Sequence, residues 1–274
     1  MSISVPDTLT NDSAGKYIMS IRLRSDGLSF SCHDPSVGGS FFYQEVGFDR
    51  TIPFSAALKD FFFENEFLTW NYKRTHVLCV TPTYTVVPKP YFLDDQKKEL
   101  LGFCFTKPDG FCLNDTLQDG DAEIVFSMEE EVYGFCSRSL LHPHFSHPMK
   151  YVLALWRKQS LASDKRQLYA VVEQKRLDLA CYKQGQLLFV NSFRVDNAED
   201  VVYYILYVWK QLGLDQRTDQ LYLQSESSLR VSVAEILQTY LRKVSPMEIP
   251  AEAYLCGADV AKAPLDLISL LVCE

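Results

Sequence analysis

One order of elements occurs twice along this chain, and it constrains the fold more than any single residue does. Tyr17, Met19, Ile21 and Leu23 alternate with Ile18, Ser20, Arg22 and Arg24, the two-residue period of a half-exposed strand. Ser25-Asp26-Gly27 supplies turn chemistry, and Leu28, Phe30 and Cys32 continue as the return strand of a hairpin. A third strand spans residues 40–48, Ser55 is placed to cap a helix carrying Leu58, Phe61 and Phe62, and residues 77–80 form a buried strand before Pro82. The second half repeats this order. Strands are expected at 168–173, 176–182 and 186–193, joined by Gln174-Lys175 and Gln184-Gly185. Asp196 with Glu199 makes a capping-box-like helix start, and Val202, Ile205, Leu206 and Trp209 form the apolar stripe that ends at Gly213. A strand at 221–223 and an amphipathic helix over 229–241 follow, stopped by Pro246. Phe54 precedes Val77 by 23 positions, and Ala198 precedes Leu221 by the same 23. Identity between the halves is negligible, so the repeat lives in pattern.

The fold class is therefore α/β with mixed sheets, each lobe running strand-strand-strand-helix-strand-helix. The expected divisions are a loose tail over 1–15, a first lobe over 16–160 and a second over 161–274. At about 150 residues per domain, 274 residues accommodate two. A hydrophobic content of 47% supplies a full core, and no apolar stretch approaches the ~18 residues of a membrane span. A net charge of −8 argues against a general nucleic-acid binder. The eight cysteines form no CxxC pair, and most sit in apolar strand-like contexts such as those of Cys79 and Cys181. With no export signal at the start, that usage fits reduced thiols and a cytoplasmic protein.

Three antiparallel strands followed by helix, strand and helix, given twice, resemble the ribonuclease H-like half of the actin-like ATPase superfamily, which includes sugar kinases, heat-shock chaperones and pilus-assembly ATPases. The chain also resembles an uncharacterised bacterial family of this length with that fold. The residues behind this second likeness are the strand Leu187-Leu188-Phe189-Val190-Asn191-Ser192-Phe193, the pair Tyr203-Tyr204 and the terminal Leu270-Leu271-Val272-Cys273-Glu274. Coverage runs from about residue 16 to the end.

The superfamily resemblance implies three nucleotide sites, each built on small residues that let backbone amides approach phosphate or adenosine. The first hairpin should carry a metal-orienting Asp and a glycine; here the strand reads Ser20-Ile21-Arg22-Leu23. The second reads Val172-Glu173-Gln174-Lys175-Arg176, with Glu173 able to stand in for the Asp but Lys175 where glycine belongs. The adenosine turn reads Leu223-Gln224-Ser225-Glu226 in place of a Gly-Gly turn. A side chain at a phosphate turn blocks backbone approach, and losing the carboxylate removes electrostatic stabilisation of phosphoryl transfer. By family position the cleft residues are Arg22, Glu173, Lys175, Gln224 and Ser225. The resemblance thus points to a degenerate, pseudo-ATPase version of the fold that binds a protein partner and needs no cofactor. The alternative is a nucleotide-binding ATPase or kinase that holds ATP and Mg²⁺ in a non-standard cleft.

Other constellations read as structural. His142, His144 and His147, with Cys136 upstream, could meet a transition metal, but zinc-type spacing is missing and the stretch reads as a Pro-rich connection between a helix over 129–141 and a strand over 149–156. Glu129-Glu130-Glu131 and Asp94-Asp95 suit helix N-termini. No GxSxG, P-loop, GxGxxG or HExxH pattern occurs. Arg22, Arg24, Lys175 and Arg176 are either strand-edge charges or holders of an anion. The aromatic load of 18 Phe, 15 Tyr and 3 Trp exceeds what one face of each helix can bury, which marks Phe61-Phe62-Phe63, Tyr203, Tyr204 and Tyr207 as core or partner surface.

Overall fold

The computed structural model describes residues 3, 5–106, 108 and 110–273. The chain divides into two compact units, residues 1–152 with 250–274, and residues 153–249. The expected lobe boundary near residue 160 thus lies close to the first crossing, while the last 25 residues group with the first unit. Within the expected tail, Leu9 and Ala14 are buried, and the Ser13 hydroxyl bonds the Thr8 carbonyl.

In the first unit β1 (Ile18–Arg24), β2 (Gly27–His33) and β3 (Phe42–Gly47) form an antiparallel meander. α1 (Phe54–Glu64) then leads to β4 (Arg74–Cys79), which returns parallel to β1. An inserted three-stranded sheet follows, made of β5 (Tyr84–Pro88), β6 (Phe111–Thr116) and β7 (Ala122–Met128) with α2 (Lys97–Cys104). α3 (Glu130–Ser139) and β8 (His144–Ser146) close the main sheet in the order β3-β2-β1-β4-β8. α4 (Met149–Ser160) begins in this unit and ends in the other.

The second unit builds the same sheet from an unrelated sequence. β9 (Gln167–Glu173), β10 (Arg176–Lys183) and β11 (Gln186–Arg194) form the meander. α5 (Ala198–Gln211), β12 (Gln220–Gln224), α6 (Ser227–Leu237) and β13 (Val244–Pro246) follow, in the sheet order β11-β10-β9-β12-β13. β12 runs parallel to both β9 and β13. One face of this sheet buries Leu168, Ala170, Leu177, Leu179 and Cys181 against Ile205 and Trp209 of α5 and Val233 and Leu237 of α6. On the sheet, Tyr169 stacks on Tyr222 with centroids 5.2 Å apart, and Trp156 stacks on Tyr169 at 5.4 Å. Two short helices, α7 (Ala251–Tyr254) and α8 (Leu265–Cys273), complete the first unit.

Three sequence expectations are corrected. Residues 149–156 form a helix, not a strand: the apolar run fits either period, and the twelve-residue length of α4 suits the helix. Ser55 does not cap α1; its hydroxyl bonds Glu131 of α3 at 2.5 Å, while Pro53 stands at the N-cap. The cap of α5 is Asn197, whose side chain accepts from the Asp200 amide at 2.8 Å, one position later than the expected box. The fifth strands β8 and β13, three residues each, carry too little pattern to read from sequence. No helix among the described residues is long and apolar enough to cross a membrane.

Candidate functional site

Parallel pairing of β9 with β12 brings their C-terminal ends together, with Gln224 opposite Val171. This gathers four of the five expected cleft residues, Glu173, Lys175, Gln224 and Ser225, at one end of the second sheet. Glu173 and Gln224 are half-buried strand termini. Ser225 is buried, and its hydroxyl bonds the Glu226 carbonyl at 3.2 Å. Glu226 stands at the N-cap of α6 without a side-chain capping bond, and its negative charge disfavours an anion near that positive helix end. The apex of the β9–β10 hairpin is Gln174-Lys175, with Gln174 in the left-handed region at φ 53°. Lys175 pairs with Asp196 at 2.9 Å, which holds the Asp196 carboxyl below the usual carboxylate value. Arg176 donates through Nε to Asp178 at 2.8 Å, and Asp178 also accepts from Ser192 of β11.

Arg22, the fifth residue, belongs to the first unit. It lies in the middle of β1 with 1% of its side chain exposed, and its Nε donates to Asp266 of α8 at 2.6 Å. An arginine taken out of water holds its charge only beside a counter-ion, and α8 brings that carboxylate in at its own first turn. At the hairpin apex next door, Arg24 pairs with Asp26 at 3.0 Å and with Glu45 of β3. Gly27 closes this turn at φ 154°, where a Cβ would lie 2.1 Å from the Val46 carbonyl oxygen. All four candidate cations, Arg22, Arg24, Lys175 and Arg176, therefore have a carboxylate of the same chain.

Sequence reading missed the two acids that hold Arg22 and Arg176. Asp178 sits in an alternating strand, where it reads as a solvent-facing position. Asp266 carried a usable signal: it is a lone carboxylate heading the apolar run Leu267-Ile268-Ser269-Leu270-Leu271, and a charge there needs a buried partner.

The histidines separate. His147 is buried, with its ring stacked on Tyr84 at 4.0 Å and Nε2 3.0 Å from the Thr81 carbonyl. His144 lies on β8 and meets Asp115 of β6 at 3.0 Å; Lys150 of α4 takes the other Asp115 oxygen at 2.7 Å. His142 is an exposed turn residue at φ 46°. Among the described residues no group of three or more His, Cys, Asp or Glu is placed to hold a metal ion.

Two meander-plus-crossover units of identical strand order define the class: this is the actin-like ATPase fold. A Bacteroides thetaiotaomicron protein solved with that fold and of unknown function superimposes with a TM-score of 0.84 at 28% identity, over 99% of this chain and 100% of that one. The PilM–PilN type IV pilus biogenesis complex contains a more distant likeness, with a TM-score of 0.51 at 11% identity over 94% of this chain and 95% of that one. No functionally curated protein matches. Over residues 6–244 the chain matches the family described as protein of unknown function DUF3822, and it belongs to that family.

Proposed function

We propose that this protein is a non-catalytic, pseudo-ATPase member of its fold, acting in the cytoplasm as a scaffold or interaction module for another protein. The observation that carries this reading is the internal neutralisation of the candidate phosphate-binding cations. A triphosphate needs cations or unblocked amides aimed at it. Here Arg22 is held by Asp266, Lys175 by Asp196 and Arg176 by Asp178, and Glu226 adds a carboxylate at the head of α6. At Arg22 in the first unit, and at Lys175 and Arg176 in the second, an anion would have to compete with a carboxylate already paired to the cation. The eight free thiols fit a reducing compartment. A protein-binding role has a counterpart in the PilM–PilN type IV pilus biogenesis complex.

The test is phosphate release from ATP with Mg²⁺ by the parent chain and by Glu173→Ala, the residue best placed to orient a metal. Equal inertness is expected. Measurable turnover in the parent that disappears in the variant would establish the competing reading, an ATPase or kinase with a non-standard cleft.

A further inference from the structure

The two main sheets have the same strand order, so β3 and β11 are equivalent edges. Their treatment differs. The chain's own segment over 255–259 lies along the start of the β3 edge: in the residues leading into β3 the Gly39 amide donates to the Leu255 carbonyl at 3.1 Å and the Phe41 amide to the Cys256 carbonyl at 2.8 Å, and within β3 the Tyr43 amide donates to Asp259 Oδ2 at 3.4 Å. The duplicate in the second unit has no such cover among the described residues. β11 is the longest strand among the described residues at nine residues, and it remains exposed at Gln186, Leu188, Asn191 and Arg194. Its Ser192 amide donates to the side chain of the preceding Asn191, at 2.9 Å.

The surroundings define what would fit. A bulge leaves Leu188 unmatched, and beyond it Phe189–Arg194 pair without interruption with β10, a regular run of the usual strand length. On the side facing α5 an aromatic shelf continues outward from that run. Phe193 stacks on Tyr204 at 4.4 Å, Tyr203 meets Tyr204 edge-on at 5.2 Å, and Tyr203 stacks on Tyr207 at 6.2 Å. Tyr203 is 62% exposed and Tyr207 47%. The charge is one-sided. β11 contains no carboxylate, and Arg194 at one end and Lys183 near the other make no ion pair among the described residues; the acids acting on them, Asp196 on Arg194 and Asp164 on Lys183, are already bound to Lys175 and Lys165. A second copy meeting this edge through its own β11 would bring no carboxylate to either cation. The covered edge of the first unit, by contrast, is met by backbone carbonyls and one carboxylate.

We propose that the outer edge of β11 is a docking site for an extended peptide segment of a partner protein, which adds to the second sheet as a sixth strand, rests alternate apolar side chains on the Tyr203–Tyr204–Tyr207 shelf and sets acidic residues against Arg194 and Lys183. Main-chain bonds supply affinity in this mode, and flanking charges supply register. The proposal rests on the reading of the protein as an interaction module and names where and what it binds.

The probe is a synthetic eight-residue peptide of alternating valine and threonine with glutamate at both ends, titrated into the isotope-labelled full chain and read by amide hydrogen exchange. A counterpart ending in lysine is the control. Saturable protection confined to the amides of Phe189–Arg194 is expected, with the glutamate-ended peptide binding about fivefold tighter. Arg194→Glu should cancel that preference while leaving circular dichroism unchanged, and Val190→Pro, which removes an edge amide, should abolish protection. No protection of these amides by either peptide at millimolar concentration would overturn the proposal, as would a dimer in sedimentation whose own pairing protects β11. Phosphate release measured on the same samples separates this failure from that of the scaffold reading, since turnover contradicts the scaffold whatever the peptide does.

Discussion

Replacing Asp266 by Asn leaves the Arg22 guanidinium inside β1 without its counter-charge, and the expected cost is about 3–5 kcal/mol. For a unit of this size that lowers Tm by roughly 6–20 °C, measurable by differential scanning calorimetry. The double replacement Arg22→Met with Asp266→Leu should recover most of the loss, because an apolar pair of similar volume removes the desolvation cost along with the charge. A double variant as unstable as Asp266→Asn would mean that Arg22 serves something other than this contact. Asp115 gives a pH-dependent counterpart. Burial pushes its carboxyl up, but hydrogen bonds from His144 and Lys150 outweigh burial and hold it below the ordinary value of 3.8. A depressed carboxyl contributes stability that is complete above the unfolded value and fades as pH falls through the folded one. The parent should therefore lose stability as pH drops from about 4, and Asp115→Asn should be less stable at pH 7 by about 1–3 kcal/mol with a flatter acid limb. Matching acid limbs in the two proteins would contradict this assignment.

Among the elements, the two hairpins show how one sheet order is reached by different chemistry. The β1–β2 turn relies on Gly27, where β3 passes so closely that a Cβ would meet the Val46 carbonyl at 2.1 Å. Gly27→Ala should destabilise the first unit by about 2 kcal/mol or more, read as a shift in the urea midpoint at constant slope. An unchanged midpoint would show that β3 can move aside. The β9–β10 turn is built on Gln174-Lys175, with only Gln174 left-handed. Periodicity made these hairpins legible because alternation in β1, β2, β9 and β10 reports one covered face directly. It failed for α4, whose residues Val152, Leu153, Ala154, Leu155 and Trp156 are all buried and so show no polar face. It could not reveal β8 and β13, which owe their strand geometry to the neighbours β4 and β12.

At the scale of the molecule, the duplicated order of elements carried the fold, because a repeat with the same 23-residue spacing leaves few topologies open. The candidate site was legible only in part. The family resemblance offered Glu173, Lys175, Gln224 and Ser225 as cleft positions, and the parallel pairing of β9 with β12 puts the ends of the strands that carry them side by side. What sequence could not supply was the identity of the counter-ions: Asp266 lies 244 positions from Arg22, and only α8 packing in the first unit unites them. Those counter-ions are what turn a candidate phosphate site into a set of satisfied ion pairs, so they are also where the account is most exposed. Titration calorimetry of the full chain with ATP and Mg²⁺, paired with a thermal shift at millimolar nucleotide, tests it most directly. The account predicts no saturable heat and no rise in Tm. A dissociation constant near ten micromolar would stabilise the protein by about 2.7 kcal/mol at one millimolar nucleotide, and a rise in Tm of that size would contradict the account.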